Sequence, residues 1–441
     1  MQAVNQSDFA RPDYIVDGMR TPRLKARGEP GNFSASDLAV QASRYLLARQ
    51  TFTPDQLDEV VTGCVMAGPD EANISRVIAL RLGCGKAVPA YTVQRNCASG
   101  MQALDSAALD IACGRYDLVL AGGTEAMSQA PLLLNQGMTA WLAAWNVAKT
   151  PFDRVRLLCQ FKLKYLAPVI ALLRGLTDPI IGLSMGQTAE IIAHRFGISR
   201  EKMDEFSLQS HQRLAAAQDA GIFKDELNPV YDRKNHYYSY DSGLRRDTRL
   251  EKLASLKPFF DKSFGLVTAG NSSQVTDGAA FLVLASEKAV QQYQLPVLAR
   301  IVDVVWAGVE PSEMGLGPVH AVSILLKKQQ LAFNRIDFWE INEAFAGQVL
   351  ACLAAWQDID YCKTQLGLSE ILGQLNPAIL NIDGGAIAMG HPVGASGARI
   401  VLHLAHVLKR KQARFGIATL CIGGGQGGAL LLEHVDKAGV V

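Results

Sequence analysis

Two stretches of the chain resemble each other: "CASGMQALDSAALDIACGRYDLVLAGG" (97–123) and "GASGARIVLHLAHVLKRKQARFGIATLCIGGG" (394–425). In both, Ala-Ser-Gly opens an apolar helical pattern, a basic turn follows, and an apolar strand ends in glycines. Upstream, "TPDQLDEVVTGCVMAG" from Thr53 matches "FNRIDFWEINEAFAG" from Phe333. This repeat predicts an α/β fold with buried strands and two similar halves related by a pseudo-twofold axis.

The same repeat predicts the domain boundaries. Residues 1–130 together with 273–297 are assigned to the N-terminal half, and residues 298–441 to the C-terminal half. Between them, Pro, Gly, Tyr and mixed charges interrupt the pattern. Residues 131–272 are therefore predicted to be an inserted loop domain.

The composition limits the classes of partner. The 441 residues are 49% apolar, which allows a large core, and 43 basic against 42 acidic residues argue against a nucleic-acid-binding surface. The chain opens without a signal-peptide pattern, and no apolar run reaches the ~18 residues of a spanning helix, so we expect a cytoplasmic protein. Eight scattered cysteines without a C-x-x-C pair predict free thiols and no metal site.

Cys97 lies between a polar turn and a predicted helix start. Unpaired backbone N–H groups stabilise a thiolate there, so we expect a lowered pKa and a nucleophile. The alternative is an inert core cysteine, since free cysteine is often buried. His391 favours the interpretation of Cys97 as a nucleophile. Its glycine-rich loop precedes the helix of the second repeat, and pseudo-symmetry predicts that this loop faces Cys97. A histidine in that position can act as a base on the cysteine.

Two further loops carry polar groups at strand ends. Cys421 in "TLCIGGGQGG" precedes glycines whose N–H groups can bind an oxyanion, and a second thiol suits proton transfer to carbon. Asn342 follows the strand "FWEI" and can orient a water, although Asn is also common in turns. Glu343 is either a partner that supports the site or a solvated charge. We expect all four loops to meet at one site, as at switch points of doubly wound sheets.

Seven motifs occur in an order that resembles the thiolases over essentially the whole chain: "NCASGMQAL", "AGGTEAMS", "SMGQTAE", "AGNSSQVTDGAA", "NEAFAG", "GGAIAMGHPVGASGARI" and "CIGGGQGGA". The resemblance implies a duplicated thiolase fold, with two pseudo-symmetric αβαβα halves and an inserted loop domain. It implies a 3-ketoacyl-CoA thiolase of fatty-acid β-oxidation, which releases acetyl-CoA through a cysteine acyl-enzyme. The alternative is an acetyl-CoA acetyltransferase that makes or cleaves acetoacetyl-CoA.

The resemblance also implies a role for each site residue. Cys97 takes the acyl group, His391 removes its proton, and Cys421 exchanges a proton with the acetyl-CoA carbanion. One oxyanion hole combines His391 with a water held by Asn342, and the other uses the backbone N–H groups of Cys97 and Gly423. CoA is a substrate, and the resemblance implies no bound cofactor and no metal.

CoA is expected to lie over the loop domain. Ser273 matches a serine that contacts the pantetheine end, and Met185 is assigned to the substrate-binding wall. Arg245 matches a cation near the nucleotide, but Arg246 is adjacent, and a solvated loop is an equal alternative. Ser184 stands where members specific for acetoacetyl-CoA often carry histidine, which favours a broader range of chain lengths.

The loop from residue 131 to 185 is longer than in common soluble thiolases, and residues 149–174 contain six basic residues against one acid, Asp153. One amphipathic helix is expected here, with a polar stripe of Arg156, Gln160 and Lys164 opposite Leu158, Phe161 and Tyr165. It is expected to pack on its own dimer; the alternatives are a partner dehydrogenase or hydratase subunit of β-oxidation and peripheral contact with the inner membrane. We expect a homodimer or homotetramer.

Two other functions share part of this sequence pattern. A ketoacyl synthase shares the duplicated architecture but would lack Cys421. A non-catalytic CoA- or lipid-binding member would have lost catalytic residues, whereas all four positions are filled here.

Overall fold

The computed structural model describes residues 12–435, so residues 1–11 and 436–441 of the two predicted halves lie outside the described residues. The strands are β1 (Asp13–Arg20), β2 (Leu24–Lys25), β3 (Glu59–Gly63), β4 (Ala90–Val93), β5 (Leu118–Ala126), β6 (Leu132–Leu133), β7 (Val169–Ile170), β8 (Val230–Tyr231), β9 (Tyr237–Tyr238), β10 (Thr276–Ser286), β11 (Ala299–Gly308), β12 (Phe338–Ile341), β13 (Phe415–Ile422) and β14 (Gln426–Glu433).

The helices are α1 (Ala35–Ala48), α2 (Ile74–Leu82), α3 (Ser99–Ala112), α4 (Gln136–Val147), α5 (Pro151–Cys159), α6 (Ala171–Gly175), α7 (Met185–Arg195), α8 (Arg200–Asp219), α9 (Leu250–Ala254), α10 (Glu287–Tyr293), α11 (Gly317–Gln329), α12 (Ala346–Gln357), α13 (Ile359–Gln365), α14 (Ala386–Met389) and α15 (Val393–Lys411). Within residues 12–435, none of them combines the length and the apolar character needed to cross a bilayer.

The central sheet shows the duplication directly. Its strand order is β12-β13-β14-β11-β1-β10-β5-β3-β4, with β2 paired to β10. The two halves meet where β11 pairs with β1. Outward from this junction, each half has two antiparallel pairings followed by a parallel pairing: β1–β10, β10–β5 and β5–β3 in one half, and β11–β14, β14–β13 and β13–β12 in the other. In the C-terminal half, a single parallel bridge between Trp339 and Leu380 stands where β4 lies in the other half. The predicted duplicated α/β fold is confirmed.

The central strands of the sheet are buried on both faces because helices cover both sides. Along β10, Phe281 and Val283 belong to a core under α1 and α2, whereas Leu282 and Leu284 belong to a core with α3 and α15. A third core lies between the other half of the sheet and α11 and α12. The result is five αβαβα layers, whose middle layer of α3 and α15 is shared by both halves.

The repeated Ala-Ser-Gly motif explains how the middle layer packs. A Cβ atom on Gly100 would lie 2.8 Å from the carbonyl oxygen of Gly394, and one on Gly397 would lie 2.6 Å from the amide nitrogen of Met101. Glycine therefore allows the first turns of α3 and α15 to touch backbone to backbone. This contact places the N-terminal ends of the two helices, which Cys97 and His391 precede, next to each other.

The residues between the halves form two unlike parts. α7 and α8 pack on the C-terminal half, where Ala193 and Met203 share a core with Ala346 and Ile387. Residues 131–177, by contrast, contain no buried side chain.

The single amphipathic helix predicted near residue 160 is wrong. α5 ends at Cys159, and the backbone of Lys162 is extended, so the helix does not continue to residue 164. The residues beyond form a separate 3₁₀ turn, and Leu158 is exposed instead of sharing a face with the Phe161–Tyr165 ring pair.

Candidate active site

Cys97 lies at the tip of a tight turn that leads into α3. Asn96 has a φ of 43°, a left-handed conformation that Asn tolerates better than most residues. The Ser99 hydroxyl accepts from the Arg95 amide at 2.9 Å and donates to the Asn96 carbonyl at 2.7 Å. These bonds hold the turn so that Cys97, which is half-buried, lines a cavity of about 260 Å³.

The electrostatics of Cys97 differ from expectation. Burial raises the pKa of its thiol above the usual value, and the Glu125 carboxylate raises it further, although a hydrogen bond from the Gly423 amide lowers it. The predicted lowered pKa is wrong, because the loss of solvation outweighs the N–H groups at the helix start. Cys97 therefore rests as a thiol and needs a base to become a nucleophile.

His391 has a defined tautomer. Its Nδ1 lies 2.6 Å from the Ser396 hydroxyl, which itself donates to the Pro392 carbonyl at 3.0 Å. A hydroxyl carries one proton, so the Ser396 oxygen accepts from Nδ1–H and the lone pair of His391 is on Nε2. Burial lowers the pKa of His391 to about 3, and Arg23 and Arg399 contribute, so the ring is neutral at physiological pH.

Asn342 faces that lone pair. It follows β12, and its amide donates to the Thr419 carbonyl of the neighbouring strand at 3.0 Å. Its Nδ2 lies 3.5 Å from Nε2 of His391. Within the described part of the chain, its buried Oδ1 has no hydrogen-bond donor. The side chain can therefore accept from a water or a substrate.

Cys421 and Gly423 come from the end of β13. Burial raises the pKa of the Cys421 thiol well above its usual value, and the thiols of Cys97 and Cys352 raise it further. The Asn96 side chain donates to the Gly423 carbonyl at 2.8 Å. That bond joins the Cys97 turn of one half to the glycine turn of the other.

Glu343 is not a solvated charge. It is 1% exposed, and it accepts from the Ser210 hydroxyl at 2.6 Å and the Asn381 amide at 2.9 Å. The Ile387 amide also donates to it, at 3.2 Å. Glu343 therefore ties the loop of Asn342 to the segment that leads to His391.

Glu125 and Ser396 were missed by the sequence analysis. The Glu125 carboxylate accepts from the amides of Val65, Met66 and Gly394 at 2.9–3.0 Å, so it fastens a loop of the N-terminal half to the first turn of α15. An acidic residue inside the largely apolar strand "LVLAGGTEA" was the available signal for Glu125. Ser396 gave no signal beyond its place in the repeated motif.

The three predicted substrate-binding residues lie apart. Met185 begins α7, and its sulfur lies beside Gly423 in the cavity wall. Ser273 is half-buried next to the Asn342 loop, with its amide bonded to the Ala344 carbonyl at 2.9 Å. Arg245 is exposed and lies outside the cavity lining.

The two adjacent arginines also differ in their contacts. Arg246 forms a two-bonded ion pair with Asp219 at 2.8 and 2.9 Å. Among residues 12–435, the structure shows no ion pair of Arg245. Arg245 is therefore the cation of the two that is available to an anionic ligand.

The cavity wall beside Cys97 is mostly apolar. It includes Val65, Met66, Met127, Leu172, Leu176, Pro179, Ile180, Pro311 and Val393. No Lys, Arg or His lines it among the described residues. Its acid, Asp178, is occupied by the Ile180 and Ile181 amides at 2.8 and 3.2 Å. In the same part of the chain, no group of three or more His, Cys, Asp or Glu residues is placed to hold a metal ion.

Comparison with known proteins places this site in a family. Residues 14–288 match the family model "Thiolase, N-terminal domain", and residues 295–434 match "Thiolase, C-terminal domain". The β-ketoadipyl-CoA thiolase of Pseudomonas aeruginosa is 40% identical over 97% of this chain and 100% of that protein. The mitochondrial 3-ketoacyl-CoA thiolase of Homo sapiens is 38% identical over 95% of this chain and 98% of that protein.

Solved structures agree with the sequence comparison. The crystal structure of human mitochondrial 3-ketoacyl-CoA thiolase covers 97% of this chain and 100% of its own, with 37% identity and a TM-score of 0.83. A second crystal structure of the human enzyme, in complex with CoA, has the same identity and TM-score, with coverage of 97% and 99%. Since both family models and full-length relatives match, the chain belongs to the thiolase family and is an acyltransferase.

Proposed function

We propose that the protein is a degradative 3-ketoacyl-CoA thiolase, which transfers the acyl group of a 3-ketoacyl-CoA to CoA and releases acetyl-CoA. The observation that carries the substrate assignment is the cavity wall beside Cys97, which is apolar and contains no cation among the described residues. A β-ketoadipyl chain ends in a carboxylate, and a buried carboxylate needs a paired cation or several donors. An alkyl chain needs neither.

The first half-reaction uses three side chains. The Sγ proton of Cys97 passes to Nε2 of His391, and the thiolate attacks the 3-keto carbon. The bond between the α- and β-carbons then breaks, and its electron pair remains on acetyl-CoA. The Cys421 thiol protonates that carbanion, so acetyl-CoA leaves and the acyl group stays on Cys97 as a thioester.

The second half-reaction restores every group. The Cys421 thiolate takes the proton of the incoming CoA thiol, whose sulfur attacks the thioester. Cys97 leaves as a thiolate and regains its proton from His391. Two oxyanion holes stabilise these intermediates: one combines His391 with a water held by Asn342, and the other uses the backbone N–H groups of Cys97 and Gly423. One such donor contributes about 3 kcal/mol of barrier lowering.

The proposal is tested by thiolysis rates on 3-ketoacyl-CoA substrates of increasing alkyl length, beside ω-carboxylated chains of matched length. We expect alkyl chains beyond four carbons to be cleaved and ω-carboxylated chains to have the lower kcat/KM. Activity confined to acetoacetyl-CoA would support the acetyl-CoA acetyltransferase alternative. A preference for 3-oxoadipyl-CoA would instead contradict the argument from the apolar wall.

We also propose a homodimer or homotetramer. β4 is the last strand in the order of the sheet, so in the described part of the chain one side of its backbone has no strand partner. Its residues are half-buried. An exposed strand edge favours pairing with a second copy. Light scattering after size exclusion tests this proposal, and a monomeric mass would contradict it.

A further inference from the structure

The Gly423 amide belongs to a short loop between β13 and β14. Ile422 and Gln426 are paired across these strands, and the three glycines of residues 423–425 connect them. The second and third glycines have φ values of 90° and 81°, a conformation that favours glycine. The third glycine's carbonyl accepts from the Val309 amide at 2.8 Å. A loop without side chains has no other means of fixing itself, so its distance from the Cys97 turn depends on what neighbouring segments bind.

Two consecutive residues of the Cys97 turn bind the two ends of this glycine loop. The Asn96 side chain donates to the Gly423 carbonyl at 2.8 Å, where the loop begins. Nη1 of Arg95 donates to Oε1 of Gln426 at 3.0 Å, where the loop ends. The Cys97 turn and the glycine loop are therefore joined at two points, although they come from different halves of the fold.

The guanidinium of Arg95 is itself held by two further groups. Its Nε donates to Oε1 of Gln102 in the first turn of α3 at 2.7 Å. Its Cζ lies 4.3 Å from the ring centroid of Trp306 in β11, a cation–π contact. The Trp306 indole donates to Asp105 of α3 at 2.8 Å, and Asp105 also accepts from Gln102 at 3.2 Å. Arg95 therefore joins α3 of one half to β11 and β14 of the other in a fixed geometry.

The gap between the Cys97 turn and the glycine loop bears directly on acyl transfer. The Gly423 amide hydrogen-bonds the Cys97 sulfur, so an oxyanion on the carbon attached to that sulfur forms beside N–H groups from both halves. Such donors are effective when they lie about 2.7–3.1 Å from the oxyanion. A misplacement of about 1 Å can lower a rate about 100-fold. Arg95 lies outside the cavity lining, so it acts on this step through the loop and not by touching substrate.

We propose that Arg95 is a positioning residue, which sets the gap between the Cys97 turn and the Gly423 amide. Arg95 fixes the end of the glycine loop through Gln426, and Asn96 fixes its beginning. The oxyanion hole thereby keeps a constant width while the acyl group is attached to Cys97 and removed from it. This inference rests on the proposed function, because the step that it serves is acyl transfer through Cys97.

The first test compares Arg95→Met and Arg95→Lys with the unmodified enzyme. In both variants kcat of thiolysis should fall about 10-fold to 100-fold, with KM changed by less than about twofold. Lysine keeps the charge but lacks the planar group that stacks on Trp306 and donates in two directions. In the described part of the chain, the charge that shifts the pKa of Cys97 is that of Glu125, so a cation at residue 95 should not rescue activity. Near-normal kcat in either variant overturns the proposal.

A second measurement separates positioning from a general loss of structure. Alkylation of Cys97 by iodoacetamide needs the thiol but no oxyanion hole, so its rate should not change in Arg95→Met. Acetylation of Cys97 by acetyl-CoA, followed by mass spectrometry in a single turnover, should slow as much as kcat does. Equal slowing of both reactions contradicts the proposal. Absence of thiolysis by the unmodified protein would instead count against the proposed function.

The bond to the glycine loop is tested from its other side by Gln426→Leu, which should also lower kcat. Arg95→Met/Gln426→Leu should be no slower than Arg95→Met, because both substitutions remove the same bond, and multiplied losses overturn the proposal. The matched control is Arg414→Met at the opposite end of the β13–β14 hairpin. Arg414 donates to Glu433 at 3.0 Å and lies 4.6 Å from the ring centroid of Phe415. It loses similar contacts and should leave kcat unchanged; an equal fall in kcat there also overturns the proposal.

Discussion

The middle layer of the fold and the 131–177 segment are built in opposite ways. Of the 19 residues of α15, 15 are buried, including Arg399 and His403, whereas no residue of the 131–177 segment is buried. The chemistry therefore depends on the layer where helix backbones touch, whereas the 131–177 segment adds no buried side chain to the core. The predictions below compare a substitution at a buried or catalytic position with a matched substitution at an exposed position.

The largest expected effect is at Cys97. Cys97→Ser should lower the thiolysis rate by at least about 10³-fold, because it removes the acyl-accepting thiol. Cys113→Ser changes an exposed cysteine at the other end of α3 and should leave the rate unchanged. Rates are measured with a saturating 3-ketoacyl-CoA. Near-normal turnover by Cys97→Ser would remove the basis of the proposed mechanism.

The next comparison is of one substitution in two environments. Leu404→Ala in α15 deletes a fully buried side chain and should lower the free energy of unfolding by about 2–5 kcal/mol. Leu163→Ala removes a side chain that is 81% exposed and should change it by no more than about 0.5 kcal/mol. Urea unfolding measures both. Equal losses would mean that the 131–177 segment has a core of its own or is covered by another subunit.

Glycine provides a finer comparison. Gly100→Ala should destabilise the protein by about 1–3 kcal/mol, because its Cβ would lie 2.8–2.9 Å from the backbone of Gly394 and Ala398. Gly175→Ala in α6 has open space around the added methyl group and should be neutral or slightly stabilising. Thermal unfolding of the two variants gives the order. A harmless Gly100→Ala would show that the two helices can separate without cost.

The smallest effect is a pH dependence. His391 has a folded-state pKa of about 3, below the usual 6.5, so below about pH 6.5 the unfolded chain binds a proton that the folded chain does not. This group therefore reduces stability as pH falls, by up to about 1.4 kcal/mol per pH unit. His391→Asn should flatten the decline between about pH 6 and about pH 5, measured by urea unfolding. His194→Asn, on the exposed side of α7, is the control and should follow the unmodified protein.

Much of the architecture was predictable from the sequence. The repeated Ala-Ser-Gly helices and glycine-ended strands carry their own periodicity, so they predicted two halves, and the glycines needed for the close contact of α3 and α15 stand in the repeat itself. The prediction of one helix near residue 160 was wrong because it rested on the spacing of polar and apolar residues alone. In the structure, Phe161 instead packs edge to edge against Trp141. Local periodicity does not contain that contact.

The supporting groups of the site were less accessible to sequence analysis. Glu125 acts on amides from residues 65, 66 and 394, and Glu343 acts on groups from residues 210, 381 and 387. These contacts join residues that are far apart in the sequence, so they form only when the distant parts of the chain pack together. A carboxylate in an apolar strand indicates that some partner exists, but its identity depends on the tertiary structure.

By itself, the sequence determined the duplicated α/β architecture and the positions of Cys97, His391 and Cys421 at helix and strand ends, because these depend on local patterns repeated along the chain. Only the tertiary structure decided the protonation of these groups. Burial depends on distant segments, and here it raises the pKa of Cys97, lowers that of His391, and lets Ser396 select the tautomer with its lone pair on Nε2. Solvation is a property of the whole fold, which is why the sign of the Cys97 shift could not be derived from its helix start alone.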